Sequence, residues 1–178
     1  MFMKLGLVRP YLPILSAFIL LFSACSSEGT ELFRVKTDTD FTLQAGLNQI
    51  ETHYFVNNEV PTFWNTYSGS AVNQDLIGGV FPNRATLTSR FGENLGHIHT
   101  VSVWVYDLDY ENGTEIFYME PVQQGNKTEI QLFSNITEVG NWIKEERVLI
   151  ELRIEVRQII GATRDVRLNM DFVVFEKE

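Results

Sequence analysis

The chain has 178 residues and a single cysteine, Cys25, so no disulfide can form within it. It is poor in positive charge: 14 basic residues stand against 23 acidic ones, a net charge of −9. Nucleic acid is therefore excluded as a partner, because phosphate backbones need basic neutralisation. The chain carries no G-x-S-x-G elbow, no phosphate-binding loop and no dinucleotide glycine pattern. No catalytic residue is assigned, no cofactor is expected, and the reading is of a non-enzyme. No apolar run reaches the roughly 20 residues of a membrane-spanning helix. The longest, residues 12–22, has 11 and contains Pro13.

What is present begins at the N-terminus. Lys4 and Arg9 precede that short apolar run, and the small residues Ser23 and Ala24 follow it. A positive start, a greasy middle and a small-residue cut site predict a secretory signal peptide over residues 1–24. Phe22-Ser23-Ala24-Cys25 resembles the lipobox of bacterial lipoproteins. The resemblance implies cleavage before Cys25, acyl chains on Cys25, and attachment to the membrane through that lipid. Ser26, where an aspartate marks inner-membrane retention in enterobacterial lipoproteins, resembles the residue found in outer-membrane ones, and Ser27-Glu28 is similar to the tethers of surface-exposed lipoproteins of Bacteroidetes; the resemblances imply a place in the cell envelope, at the outer membrane on its surface or periplasmic side. Residues 25–31 then read as a flexible tether and 32–178 as one domain. Without residues 1–24 the chain keeps 12 basic and 23 acidic residues, a net charge of −11. Such a charge favours solubility over attraction to anionic headgroups.

Past the tether the periodicity is that of strands. Val148, Ile150, Leu152, Ile154 and Val156 alternate with Glu151, Arg153, Glu155 and Arg157. Val166, Leu168, Met170, Phe172 and Val174 repeat the pattern. A period of two puts each apolar set on one face of a strand, and the turn-like Gly161–Asp165 stretch predicts that the two strands pair as a hairpin. Asn112-Gly113 predicts a second hairpin, with Val101, Val103 and Val105 on one face of its first strand and Ser102, Trp104 and Tyr106 on the other. Residues 134–146 are a helix candidate, capped by Ser134 or Asn135, with Ile136, Val139, Trp142 and Ile143 toward the sheet. Residues 57–83 read as a long loop. The expected fold is all-β: an antiparallel β-sandwich, immunoglobulin-like or jelly-roll-like, with one short helix near 135–145. An up-and-down barrel is the alternative.

Three groups of residues are candidates for chemistry. Phe63, Trp64 and Tyr67 lie in the long loop, where aromatic rings stack on sugars or anchor a protein partner; Trp64 equally suits a plug at one end of the fold. His97 and His99 form an H-x-H pair to which His53 would add a third imidazole, a set suited to a metal. Asp107, Asp109 and Glu111 are rich in oxygen, but the glycine falls out of register for a calcium loop, and the tip of an acidic hairpin accounts for them. The functional expectation is a lipid-anchored binding or accessory module for a glycan or an envelope protein. The alternatives are a metal-dependent enzyme using the three histidines, or a structural subunit of an envelope complex.

Overall fold

A computed structural model describes residues 29–69 and 73–177; Cys25 and the predicted signal peptide lie outside them. Eight antiparallel strands form one sheet: β1 (Glu31–Leu43), β2 (His53–Pro61), β3 (Ile77–Ser89), β4 (Ile98–Tyr106), β5 (Thr114–Met119), β6 (Glu129–Ser134), β7 (Arg147–Val156) and β8 (Arg164–Glu176). The order across the sheet is β1-β8-β3-β6-β5-β4-β7-β2. Two short helices, α1 (Trp64–Ser68) and α2 (Gly140–Ile143), lie in the connections.

The sheet curls until it nearly closes, so the expected sandwich is replaced by a barrel-like fold. In a sandwich no ladder joins the two layers. Here β5 and β6 pair at Phe117↔Ser134 and Tyr118↔Phe133, which makes the halves β1-β8-β3-β6 and β5-β4-β7-β2 one sheet. At the opposite seam the edge strands β1 and β2 meet through side chains. The Thr37 hydroxyl donates to the Pro61 carbonyl at 2.5 Å, and Asn57 Nδ2 donates to Thr39 Oγ1 at 2.7 Å. Thr37 and Thr39 occupy inward positions of β1 between Val35 and Phe41. Their hydroxyls are buried, and the seam supplies the partners that buried polar groups require.

Alternation fills the interior as the sequence predicts. Every second residue of β7 and β8, from Val148 to Val156 and from Val166 to Val174, is buried. Phe117 of one half meets Phe172 of the other at 5.8 Å between ring centres, in the middle of the core.

The pairing of β7 with β8 is not observed. β7 lies between β4 and β2, and β8 between β1 and β3. Residues 157–163 instead cross from one half to the other. Buried Ile160 anchors the crossing, accepting from the Gly46 N–H at 2.8 Å. Alternation states which face of a strand is buried but not which strand lies beside it. Asn112-Gly113 does close a β4–β5 hairpin. Its turn differs from the two-residue type: the positive φ belongs to Tyr110, and the Asp107 carboxylate holds the loop by accepting from the Glu111 N–H at 2.9 Å and from Asn112 Nδ2 at 2.7 Å. Gly113 is needed because a Cβ there would overlap the Tyr106 ring.

Two further expectations are corrected. The helix near 135–145 begins only at Gly140, since Asn135 turns back to β5, its N–H donating to the Ile116 carbonyl at 3.0 Å. Val139 and Ile143 are buried as expected, but Ile136 is 98% exposed. The long loop shrinks to residues 62–76, because β2 continues to Pro61 and β3 starts at Ile77. The period of β3 is interrupted by irregular pairing between Pro82 and Arg84, which hides it in the sequence.

Candidate binding face on the outside of the sheet

The loop aromatics are divided by the structure. Trp64 is 4% exposed and tilts against Phe33 at 5.4 Å, plugging the fold beside β1. Phe63, held at φ 55, and Tyr67 remain partly exposed and border an open groove of about 480 Å³ with Lys36, Asp38, Arg84 and Asp171. The three aromatics therefore do not form one surface.

The histidines are also apart in their surroundings. His53 Nε2 lies 2.9 Å from the Asn48 carbonyl, and exposed His99 lies 3.2 Å from Arg157. His97 is buried, with Nε2 unpartnered. Burial holds its pKa below the ordinary value, and the nearby Arg164 charge lowers it further. Among the described residues no three histidine, cysteine or carboxylate side chains gather around one point where a metal ion would sit. Asp107 is occupied by its own loop, and its carboxyl is held below the ordinary range by the Glu111 N–H first and the Asn112 side chain second.

A different group is assembled on the outer face of β2, β7, β4 and β5. Glu151 of β7 points outward yet is 1% exposed. Register explains its cover. Trp104 sits opposite Glu151, and Tyr106, opposite Leu149, is the next outward residue of β4. The 107–113 loop folds Tyr110 onto Tyr106, with ring centres 4.5 Å apart and planes within 20°. The Glu151 carboxylate accepts from Arg153 Nε at 2.5 Å, from the Tyr106 hydroxyl at 3.3 Å, and from the Tyr110 hydroxyl in a short bond. Arg153 also donates to the Tyr106 hydroxyl at 2.7 Å. Its guanidinium lies 3.9 Å from the centre of the Trp104 ring and 5.4 Å from that of Tyr54, both within cation–π range. Burial raises the Tyr106 hydroxyl above its ordinary pKa, and the Glu151 charge adds to the rise. Burial opposes the charge on Arg153, but the hydrogen bond and charge of Glu151 outweigh it and hold the guanidinium above its ordinary value.

Of this cluster, Arg153 and Tyr54 line an open, polar hollow of about 260 Å³. Tyr54 and Tyr118 stand on either side of it, Arg153 and Ser102 form its floor, and Glu115 and Glu155 reach its rim. Tyr54 is 60% exposed. Tyr118 continues the aromatic surface to Phe133 of β6, 5.9 Å away. Sequence reasoning placed Ser102, Trp104 and Tyr106 on one face but did not connect them. The available signal was aromatic residues on the polar phase of strands, where solvated faces carry charges. Comparison with models of known protein families gave no match, and neither did comparison with curated proteins.

Proposed function

We propose that the protein is a non-catalytic binding module of the cell envelope, held by lipid on Cys25, whose outer β2–β7–β4–β5 face takes a neutral oligosaccharide. The observation that carries this reading is Arg153, fixed by buried Glu151 between Tyr54 and Trp104. Rings held rigidly on a sheet offer apolar faces to the C–H side of a sugar at low cost in side-chain freedom. The Ser102 hydroxyl can donate to or accept from sugar hydroxyls, and the rim carboxylates accept from them. The carboxylates on the rim also disfavour anionic ligands. Glu151 is sealed and already bonded by three side chains, which suits it to holding the surface rather than to proton transfer. The lipobox resemblance supplies the envelope location.

The reading is tested with Tyr54→Ala and Tyr118→Ala in a panel of neutral and anionic oligosaccharides read by calorimetry. Both rings are exposed, so each variant is expected to fold while losing about tenfold or more in affinity, the worth of one stacking contact of about 1.5 kcal/mol. Unchanged affinity in both variants, or binding confined to anionic sugars, contradicts the proposal.

A further inference from the structure

A further hollow lies between the start of β3 and the end of β8, next to this face, since Asn135 on its border is bonded to Glu115 of the face's rim. It measures about 800 Å³ and is bordered by Gly29, Phe81, Pro82, Ile136, Val173 and Phe175. Glycine creates it. The chain at Glu176 and Lys177 passes so close to Gly78 that a Cβ there would sit 2.7 Å from the Glu176 carbonyl oxygen. A Cβ on Gly79 would sit 2.7 Å from the Phe81 ring. Phe81 and Phe175 tilt together at 6.0 Å.

Ile136 stands at the edge of this hollow, almost wholly exposed, and it is held there. Asn135 is bonded to β5 through its N–H and through its side chain to Glu115, and Val139 donates to the Val80 carbonyl at 2.8 Å. A fully exposed isoleucine on so tightly pinned a segment is presented to something. Leu76, also exposed, lies beside the same strand end, its carbonyl accepting from the Lys177 N–H at 2.7 Å.

The position of the chain start identifies the occupant. Gly29 is itself part of the wall, where its Cβ position lies 3.6 Å from Phe175 Cβ. Cys25 is four residues upstream, so it stands at most about 14 Å from Gly29 even with the chain fully extended. We infer that the face around Ile136, Phe81 and Phe175 rests on the bilayer that holds the Cys25 lipid, with Ile136 entering the acyl region. This inference depends on the lipid-anchor reading above. The net charge of −11 selects uncharged lipid, since anionic headgroups would repel the domain.

The test uses the full chain, produced with its lipid and reconstituted in phosphatidylcholine vesicles. In Ile136→Cys the new thiol is labelled with an environment-sensitive fluorophore. Ile159→Cys is the control, exposed in the 157–163 connection beyond the far ends of the long strands. Lipidation consumes the Cys25 thiol, so one label per chain is expected. The Ile136 label should emit to the blue of the Ile159 label and be quenched severalfold more by lipids brominated along their acyl chains. One label per chain with equal quenching at both sites overturns the bilayer contact while leaving the anchor intact. Two labels per chain show a free Cys25 and overturn both.

Discussion

Away from the Phe81–Phe175 patch, the outer surfaces of the two halves of the sheet both carry many charges, yet they are built in opposite ways. On β1-β8-β3 the charges meet in water. Asp40 accepts from Arg167 at 2.8 and 3.0 Å and from Arg90 at 2.7 Å, with every partner substantially exposed. On β2-β7-β4 one carboxylate, Glu151, is sealed beneath Trp104, Tyr106 and Tyr110 and orders an arginine among aromatic rings. Exposed ion pairs contribute little because water screens them and two long side chains must be immobilised. A buried carboxylate with several donors is costly to leave half satisfied. The lesson is that equal charge in the sequence yields a solvated surface on one half and a fixed constellation on the other, according to whether aromatic neighbours cover it.

This contrast can be broken in order of expected effect. Glu151→Ala leaves the Arg153 guanidinium, the buried Tyr106 phenol and the Tyr110 hydroxyl without their acceptor, and should cost about 3 kcal/mol in denaturant unfolding; a loss below about 1 kcal/mol would show that the cluster is as weak as the solvated face. Trp104→Ala removes the ring above Arg153 and exposes Glu151, and should cost about 2 kcal/mol while also weakening sugar binding.

The two faces should also fail at opposite ends of the pH scale. The folded pKa of Tyr106 is raised, so its contribution is fully present below its ordinary value of 10.0 and is lost as pH rises through the higher folded value. Unfolding curves of the wild type and Tyr106→Phe should therefore converge above about pH 10. The folded pKa of Asp40 is lowered by its hydrogen bond to Arg167 against a smaller desolvation. Its contribution is present above 3.8 and lost as pH falls through the lower folded value. Asp40→Asn is the smallest effect expected, under about 1 kcal/mol at neutral pH, with a flatter acid limb. A larger effect from Asp40→Asn than from Glu151→Ala would invert the comparison.

The legible part of the fold was the part governed by local periodicity. Val148–Val156 and Val166–Val174 announced their buried faces, because alternation is a property of the strand alone. Asn112-Gly113 announced a hairpin, although Asp107 and Tyr110 shape its turn. What was not legible depends on distant neighbours. The crossing through Ile160 rests on its contact with the turn at Gly46, and the β1–β2 seam rests on Thr37 and Thr39 finding Pro61 and Asn57. Glu151 reads as one more solvated charge beside Arg153 until Tyr110 is folded over it from 41 residues away. Trp64 was legible in type, as plug or ligand, but only the Phe33 ring decides for the plug.

The most direct test of the central claim uses the three tryptophan side chains, Trp64, Trp104 and Trp142, as separate reporters. The full protein in micelles, labelled with nitrogen-15, is titrated with the tightest neutral oligosaccharide of the panel, and the indole N–H signals are followed. Trp104 lies on the proposed face, its indole N–H donating to Ser102 at 3.2 Å, whereas Trp64 is buried as the plug. The account predicts that the Trp104 signal moves with saturating dependence while the Trp64 and Trp142 signals stay in place. A titration in which Trp64 moves and Trp104 does not would place the ligand in the Phe63–Tyr67 groove and contradict the account.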